Sequence, residues 1–277
     1  MSPSPDIGDS KRGYVIPIGG ADKYTDNLQI LNRLCELCDD RNGRIAILMI
    51  AEHQSEIVDL YQASLTRCGA TRVDGFSIVN REEGNQDELL ESISAYDGII
   101  ITGGNPLMVS TTLGGTAIAK LIRRMNAEGV HVAGTVGGAA LMSEHMIAAG
   151  EAGAIPRQNG VTLAPGLGLT NNYIIDHNFR QRDRLGRLLT ALSYNPFVTG
   201  IGLDENTAAF IADDGEMEVI GSGAITVIDP SNLQYSSMGS ACSGDPISLY
   251  GLQLHILTHG ARYHPLTGAA LNVGRYM

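Results

Sequence analysis

Hydrophobic runs of strand length alternate with amphipathic stretches through the first half of this chain. Apolar runs at 13–18 and 44–50 flank an amphipathic stretch from about Thr25 to Cys38, which predicts a helix between two strands. The same alternation predicts helices near 55–68, 87–94 and 116–126 and strands near 72–78 and 98–102. Repeated strand–helix–strand units favour a parallel sheet whose two faces are covered by helices.

The pattern changes after residue 130. Residues 130–142 predict a buried strand, a tight turn and a helix, and we expect helical structure from Met142 to Gly150. Short apolar runs follow near Val161, Phe210, Val219 and Val227, punctuated by Asp213-Asp214-Gly215 and Asp229-Pro230. These runs predict antiparallel hairpins at one edge of the sheet. The expected fold is therefore an α/β three-layer sandwich with a mainly parallel sheet and a ligand site at the carboxyl ends of the strands.

Composition indicates one folded unit. A chain of 277 residues with 43% hydrophobic content can bury one sizeable core, so we expect a single domain over 13–277. Residues 1–12 are polar, contain two prolines and lack periodicity, which predicts a flexible tail. The chain has no apolar run long enough to span a membrane and no signal peptide, so we expect a cytoplasmic protein with no membrane partner.

Charge and cysteine usage exclude several function classes. The formal net charge of −11 opposes binding to phosphate backbones, so no nucleic-acid partner is predicted. Cys35 and Cys38 form a CxxC inside a predicted amphipathic helix, which favours core packing over redox chemistry. His177 and Asp176 are adjacent, but no third ligand follows at useful spacing, so neither a metal nor a cofactor is predicted.

The candidate chemistry centres on the turn around Val136. Gly134 and Gly138 stand two places before and two places after this residue, which is the glycine spacing of a nucleophile elbow. The elbow needs these glycines because its turn leaves no room for a Cβ against the neighbouring strand and helix. Valine has no group that can attack a substrate. The pattern therefore predicts an acyl-transfer architecture without its reacting atom.

The chain resembles the cyanophycinases, serine-type exopeptidases of peptidase family S51 that are related to dipeptidase E, from about Gly13 to Tyr263. The resemblance rests on blocks in the same order: 18–21, 100–105, the elbow, 165–169, 176–179 with 182–188, 202–208 and 256–260. It implies a class I glutamine-amidotransferase-like fold, a β-Asp-Arg peptide as the family substrate, and a dimer built on the sheet edge.

The resemblance places two of the three catalytic positions on residues that cannot do the chemistry. The family elbow reads Gly-Thr-Ser-Ala-Gly-Ala, so the serine falls on Val136, between Thr135 and Gly137. The family base is the histidine of an Asp-Gln-His-Phe block, and that position holds Asn178, which cannot cycle a proton near neutral pH. His177 stands one place earlier, and an extended backbone would point it away from Asn178. It is either a pocket-lining residue or a replacement base.

The remaining parts of the family site are retained. The resemblance places the triad acid on Glu205, although the segment 151–154 offers a second candidate and Glu205 also suits a turn. Gly103, Gly104 and the N–H group of Gly137 would supply the oxyanion donors. Family members carry Asp-Gln after the paired glycines, whereas this chain has Asn105-Pro106, which indicates altered binding.

Arginines near residue 180 are the predicted ligand anchors. Arg182, Arg184 and Arg187 match the family's substrate-facing arginines, which would bind carboxylates in a bidentate way beside Asp176. If the segment is helical, Arg180, Arg184 and Arg187 share one face while Arg182 points elsewhere. A solvated surface is the alternative role for most of them.

Two functions follow from these patterns. The first is a pseudoenzyme that binds a small carboxylate or peptide ligand, or pairs with an active paralogue in a heterodimer or with itself in a homodimer. The second is an enzyme of β-aspartyl-arginine peptide or amino-acid-derivative metabolism that uses a repurposed, non-serine site.

Overall fold

The computed structural model describes Pro3 and residues 11–20, 28–39, 42–50 and 55–272. Most of the predicted flexible tail at 1–12, and the first residues of the predicted helix at 25–38, lie outside the described residues. Among the helices that are described, none is long and apolar enough to cross a membrane.

The strands and helices alternate in the first half of the chain, as the hydrophobic pattern predicts. The helices are α1 (Leu28–Asp39), α2 (Ser55–Arg67), α3 (Asp87–Ile93), α4 (Pro106–Leu113), α5 (Ala117–Ala127), α6 (Gly137–Ala140) and α7 (Leu185–Tyr194). The strands up to the middle of the chain are β1 (Val15–Ile18), β2 (Arg44–Ile50), β3 (Arg72–Ile78), β4 (Gly98–Gly103), β5 (His131–Val136), β6 (His145–Gly150), β7 (Val161–Pro165) and β8 (Tyr173–His177).

The second half of the described chain is mainly β-structure. Its strands are β9 (Thr199–Leu203), β10 (Thr207–Ile211), β11 (Met217–Gly221), β12 (Ile225–Asp229), β13 (Tyr235–Ser236), β14 (Leu249–Tyr250), β15 (Gln253–Leu257), β16 (Ala261–His264) and β17 (Ala269–Asn272). A short 3-10 turn, Glu83–Asn85, precedes α3.

A nine-stranded sheet forms the centre of the molecule, in the order β17-β16-β11-β10-β1-β5-β4-β2-β3. The strands β3, β2, β4, β5 and β1 are parallel to one another, and β10, β11, β16 and β17 continue the sheet with antiparallel pairing. The predicted turn at Asp213-Asp214-Gly215 joins β10 to β11. The predicted antiparallel edge is therefore confirmed at Phe210 and Val219.

Helices cover both faces of this sheet. On one face, α1 and α2 bury residues such as Leu34 and Leu65 against Ile47 and Ile100. On the other face, α4 and α5 bury Val109 and Ile122 in the cluster that contains Ile101. The three-layer α/β prediction is confirmed, and the predicted core positions of Cys35 and Cys38 are buried in α1.

A second sheet has four strands, in the order β15-β12-β9-β8, and shares a hydrophobic cluster with the main sheet. Its inner residues, including Ile201 and Val227, belong to the same hydrophobic cluster as Ile101. Val227 therefore lies in this second sheet and Val161 lies in a separate two-stranded sheet with β6, so the prediction that both sit at the edge of the main sheet is wrong.

The prediction of a helix from Met142 to Gly150 is also wrong. The helix after the elbow ends at Ala140, and residues 145–150 form β6, which pairs antiparallel with β7. The apolar run Met146-Ile147-Ala148-Ala149 suits either a short buried helix or a strand, and periodicity alone does not distinguish them. Pairing with β7 decides the outcome.

Candidate active site

The turn at Val136 has the backbone of a nucleophile elbow. Val136 links β5 to α6 with φ 55° and ψ −116°. A Cβ on Gly134 would lie 2.5 Å from the carbonyl oxygen of Gly138, and one on Gly138 would lie 2.2 Å from that of Ile101. The two predicted elbow glycines are therefore required by close backbone packing.

A valine with this backbone is strained. Positive φ is rare for residues with a Cβ and is a genuine outlier for a β-branched side chain. Such conformations cost about 1–3 kcal/mol and persist only where the surrounding structure imposes them. Here the packing of α6 on β4 and β5 imposes the turn on Val136.

The predicted oxyanion donors lie beside the elbow. Gly103, at the end of β4, is the register partner of Val136. A Cβ on Gly137 would lie 2.7 Å from the carbonyl oxygen of Gly103, whereas one on Gly104 would meet nothing within 4 Å. The ends of β4 and β5 therefore meet at Gly103 and Val136, and the space next to Gly104 is open.

Asn105 has a structural role at this edge of the sheet. Its side chain caps α4 by accepting a hydrogen bond from the backbone N–H of Met108 at 3.2 Å, and Pro106 occupies the first turn. Both residue types are favoured at these helix positions. Asn105 therefore caps α4 in this structure, and its altered role in ligand binding stays a prediction. Thr135, also a predicted site residue, is buried.

The end of β1 brings Asn178 to the elbow. Thr135 in β5 is the register partner of Ile18 in β1, and Val136 and Gly19 are the residues that follow this pair. The backbone N–H of Asn178 donates to the carbonyl oxygen of Gly19 at 2.7 Å. The predicted nucleophile and base positions therefore flank the same short segment.

Gly20 contacts the side chain of Asn178, although the sequence did not predict it as a site residue. Its φ is 101°, and a Cβ on it would lie 2.8 Å from the side-chain amide atoms of Asn178. The signal was present in the sequence, because Gly19 and Gly20 stand together directly after the first predicted strand. A paired glycine at a strand end marks a close approach of another group.

A hydrogen-bonded chain joins His177, Asn178 and Glu205. The amide nitrogen of Asn178 donates to Oε1 of Glu205 at 2.7 Å, and the amide oxygen of Asn178 lies 2.7 Å from Nδ1 of His177. Since a carbonyl oxygen only accepts hydrogen bonds, this orientation of the amide puts the proton of His177 on Nδ1. Nε2 then carries a lone pair.

The expectation that His177 points away from Asn178 is wrong. Asn178 has φ 48°, so the extended backbone ends at His177 and the two side chains contact each other. His177 is buried, and its burial, together with the positive charge of Arg184, lowers its pKa to about 4. The imidazole is therefore neutral at physiological pH.

Glu205 is better placed than the alternative acid. Glu205 accepts a hydrogen bond from the side-chain amide of Asn178, which is the residue at the predicted base position. Glu151, in the second candidate segment, lines a separate cavity of about 170 Å³ together with Arg187 and Thr190. Geometry thus favours Glu205 as the partner of the base position.

Asp176 binds two of the predicted ligand anchors. Nη1 of Arg184 donates to Oδ1 of Asp176 at 3.0 Å and to the carbonyl oxygen of His177 at 2.5 Å. Nε of Arg187 donates to Oδ2 of Asp176 at 2.6 Å, and its Nη2 donates to Oδ1. All three side chains are nearly inaccessible to solvent. These guanidinium groups therefore hold the end of β8 in place.

The other arginines differ from the predicted arrangement. The helix α7 begins at Leu185, so Arg180 does not share a helical face with Arg184 and Arg187 as predicted. Nε of Arg180 lies 3.2 Å from Oδ2 of Asp204. Arg182 is exposed to solvent beside the Asn178 turn. Among the anchors expected from the sequence, Arg182 is the one whose guanidinium is not engaged by Asp176.

No group of three histidine, cysteine, aspartate or glutamate side chains within the described ranges is placed to hold a metal ion. The structure brings together an elbow backbone, the end of β4 at Gly103 and a carboxylate–amide–imidazole chain. This arrangement can polarise a carbonyl group and accept hydrogen bonds from a ligand.

Sequence comparison agrees with this geometry. The sequence profile described as peptidase family S51 matches residues 15–220. The chain is 36% identical to a cyanophycinase of Geminocystis herdmanii over 92% of this chain and 95% of that protein. It is 34% identical to a cyanophycinase of Trichormus variabilis over 90% of this chain and 85% of the relative.

A solved structure shares the fold. The crystal structure of a peptidase from an acI-B1 Actinobacterium superposes with a TM-score of 0.68 at 18% sequence identity, over 92% of this chain and 97% of the other. With the family profile spanning most of the chain and relatives above 30% identity over nine-tenths of it, the protein belongs to peptidase family S51.

Proposed function

We propose that this protein is a cyanophycinase-like pseudoenzyme that has lost serine exopeptidase activity. It binds a small carboxylate-bearing or peptide ligand at the former active site, as a homodimer or as the partner of an active paralogue. The observation that carries the proposal is Val136, an apolar side chain on a nucleophile-elbow backbone. A hydroxyl or thiol is required at this place for covalent acyl transfer.

The second change, at Asn178, supports the same conclusion. In this proposal Asn178 occupies the base position, and its amide donates to Glu205. An amide does not take up and release a proton near neutral pH, so it cannot act as the base. Removing nucleophile or base alone costs a serine hydrolase about as much as removing both, on the order of 10⁶ in turnover. Loss of one residue therefore removes the selection that keeps the other.

Retention of the elbow favours a pocket that still binds. The close packing of Gly134 and Gly138 imposes the turn on Val136 despite the strain, so the elbow backbone is still formed. Gly103 at the end of β4 pairs with Val136, and in our proposal the backbone N–H groups of Gly104 and Gly137 bind a carboxylate oxygen as they would an oxyanion. Asp176 neutralises much of the positive charge of Arg184 and Arg187. We therefore assign the exposed Arg182 as the cationic anchor of a ligand.

Ligand binding is tested by thermal shift with Asp-Arg dipeptides, arginine and aspartate. A carboxylate ligand that binds only the folded state raises the melting temperature, and the shift should shrink with added salt because charge pairing supplies part of the affinity. Arg182→Gln should remove at least half of the shift, and Arg124→Gln, on the distant helix α5, should leave it unchanged. Equal shifts for both variants would contradict Arg182 as anchor. The absence of any shift would leave only the subunit-partner form of the proposal.

Catalysis should return only when both lost groups are restored. The double variant Val136→Ser with Asn178→His should release β-Asp-Arg dipeptides from cyanophycin at least about 100-fold faster than either single variant, because nucleophile and base act as one unit. Histidine is among the residues that tolerate the positive φ of position 178. The matched control, Val136→Ala with Asn178→His, lacks only the hydroxyl and should stay inactive. High activity of Val136→Ser alone would show that Asn178 is not the base position.

A second function is favoured by the proton position on His177. With Nδ1 donating to Asn178, a neutral imidazole carries its lone pair on Nε2, which is the atom that would accept a proton in this alternative. In this alternative, His177 acts as the general base of a non-covalent reaction and Glu205 orients it through the amide. The low pKa of His177 makes it a weak base, which is why the binding function is preferred.

Neutral burial of His177 has a measurable consequence for stability. Its pKa is about 4 in the folded protein and about 6.5 in the unfolded chain, so stability is lost as pH falls below 6.5 and the loss is complete near pH 4. Between pH 7 and pH 5, the unfolding free energy should fall by about 2 kcal/mol more in wild type than in His177→Gln. Urea denaturation at both pH values measures this difference. Equal losses in the two proteins would mean that His177 is not held neutral.

A further inference from the structure

A cavity of about 480 Å³ lies on the outer face of the second sheet. Its floor includes Thr226 of β12 with Leu254 and Ile256 of β15. The intervening residues of these strands, such as Val227 and Leu257, are buried in the core that the two sheets share. Because side chains alternate along a strand, the floor residues face away from that core. We call this cavity the outer trough.

The first wall of the outer trough is the turn after β8. Phe179 in this turn is buried, and a Cβ on Gly202 would lie 2.3 Å from its ring, so the ring packs directly on the strand backbone. The backbone N–H of Phe179 donates to the carbonyl oxygen of Leu203 at 2.9 Å. The backbone N–H of Arg184 donates to the carbonyl oxygen of Phe179 at 3.1 Å, which closes the turn. This wall is therefore held in place by the sheet.

The second wall is the segment 222–224, between β11 and β12. The backbone N–H of Gly223 donates to Oγ1 of Thr207 at 2.9 Å, and that of Ala224 donates to Oδ2 of Asp204 at 3.3 Å. A Cβ on Gly223 would lie 2.6 Å from the same Thr207 oxygen. Both walls are thus formed without a ligand. The volume of the trough falls within the range of small-molecule sites, which is roughly 300–1,000 Å³.

The apolar floor of the trough is uncovered. Leu254 is 56% exposed and Ile256 is 58% exposed. Burying such side chains under the hydrocarbon part of a ligand removes apolar surface from water, which is favourable. The floor therefore suits a ligand with an aliphatic or aromatic body.

Charge indicates what the polar end of such a ligand is. Two cations of the lining are already paired, since Nε of Arg180 lies 3.2 Å from Oδ2 of Asp204 and Arg184 binds Asp176. Asp183 also lines the trough, is exposed, and makes no side-chain hydrogen bond or ion pair with any residue of the described ranges. The net charge of the chain, −11, further favours the approach of a cation.

We propose that the outer trough binds a small amphipathic amine, with a hydrocarbon body on Leu254 and Ile256 and an ammonium group on Asp183. An ammonium group forms a charge-assisted hydrogen bond with a carboxylate and is fully charged at neutral pH. Among the described residues, the lining includes neither Val136 nor Asn178, so this site is separate from the elbow. The inference does not depend on the proposed function, whose ligand carries a carboxylate.

Three probes that share one hydrocarbon body test this specificity. Phenylbutylamine, phenylbutanol and phenylbutyrate differ only in a cationic, neutral or anionic head group, and NMR titration of the wild-type protein measures the affinity of each. The amine should bind at least about 10-fold more tightly than the alcohol, and the carboxylate should bind most weakly. Equal affinities for the amine and the alcohol would overturn the proposal, as would the absence of amine binding.

Asp183→Asn isolates the charge. Asp183 has φ 47°, which asparagine tolerates, so this variant keeps the shape of the turn and removes only the negative charge. The affinity for phenylbutylamine should fall to that for phenylbutanol. The matched control is Asp59→Asn, which changes an exposed aspartate on α2 and should leave both affinities unchanged. Unaltered amine binding by Asp183→Asn would contradict the role of Asp183.

Thr226→Phe tests the location by filling the trough from its floor. It should weaken both the amine and the alcohol by at least about 10-fold, whereas Thr226→Val, which keeps the volume of the side chain, should bind them as the wild type does. Phenylalanine and valine both suit strands, and the melting temperature of each variant reports that it folds. Full binding by a folded Thr226→Phe would place the amine elsewhere and overturn the proposal. Arg182→Gln, which removes the anchor of the proposed carboxylate ligand, should not weaken the amine, so the two sites can fail separately.

Discussion

The close packing of the elbow backbone is the constraint on which the rest of the site depends. Gly134, Gly138 and the carbonyl group of Ile101 approach so closely that no side chain fits between them. This contact fixes the positive φ at Val136, whichever residue stands there. The elbow backbone is therefore formed here with a valine at its apex, although valine has no group that can attack a substrate.

A second constraint, the ion-pair cluster around Asp176, holds the other half of the site. Arg184 and Arg187 both donate to this buried carboxylate, and Arg184 also binds the carbonyl oxygen of His177. Removing one member of such a buried cluster leaves an uncompensated charge, which typically costs about 3–5 kcal/mol. The arginines therefore remain valuable for folding even if they no longer bind a substrate. Their presence alone is not evidence of activity.

Much of the fold was predictable because hydrophobic period and length agree in the first half of the chain. The bounds of β2 match the apolar run at 44–50, since a strand buried on both faces is continuously apolar. The edge strand β3 also has the predicted bounds, 72–78, although it is only partly buried. The prediction of a helix at 142–150 was wrong because a short apolar run suits both a helix and a strand. The sequence also did not show that β12 belongs to a second sheet, because β12 pairs with β9, a strand that is not its neighbour in the chain.

The site was predictable to the level of residue identity but not of side-chain direction. The glycine spacing located the elbow, and the family resemblance located Asn178 and Glu205, which the structure brings into contact. The direction of His177 depended on the left-handed backbone of Asn178, and the role of Arg184 depended on the position of Asp176 in space. Neither can be read from local sequence. The first depends on the contact of Asn178 with Gly19, and the second depends on the turn that brings Arg184 back to the end of β8.

This chain keeps the fold of peptidase family S51, and we propose that it lacks the hydrolysis. The most direct measurement is the release of β-Asp-Arg dipeptides from cyanophycin by the purified wild-type protein, followed by mass spectrometry beside an active cyanophycinase. We expect no release above the buffer control at any protein concentration, since neither Val136 nor Asn178 can take part in acyl transfer. Dipeptide release that rises in proportion to the amount of this protein would contradict it.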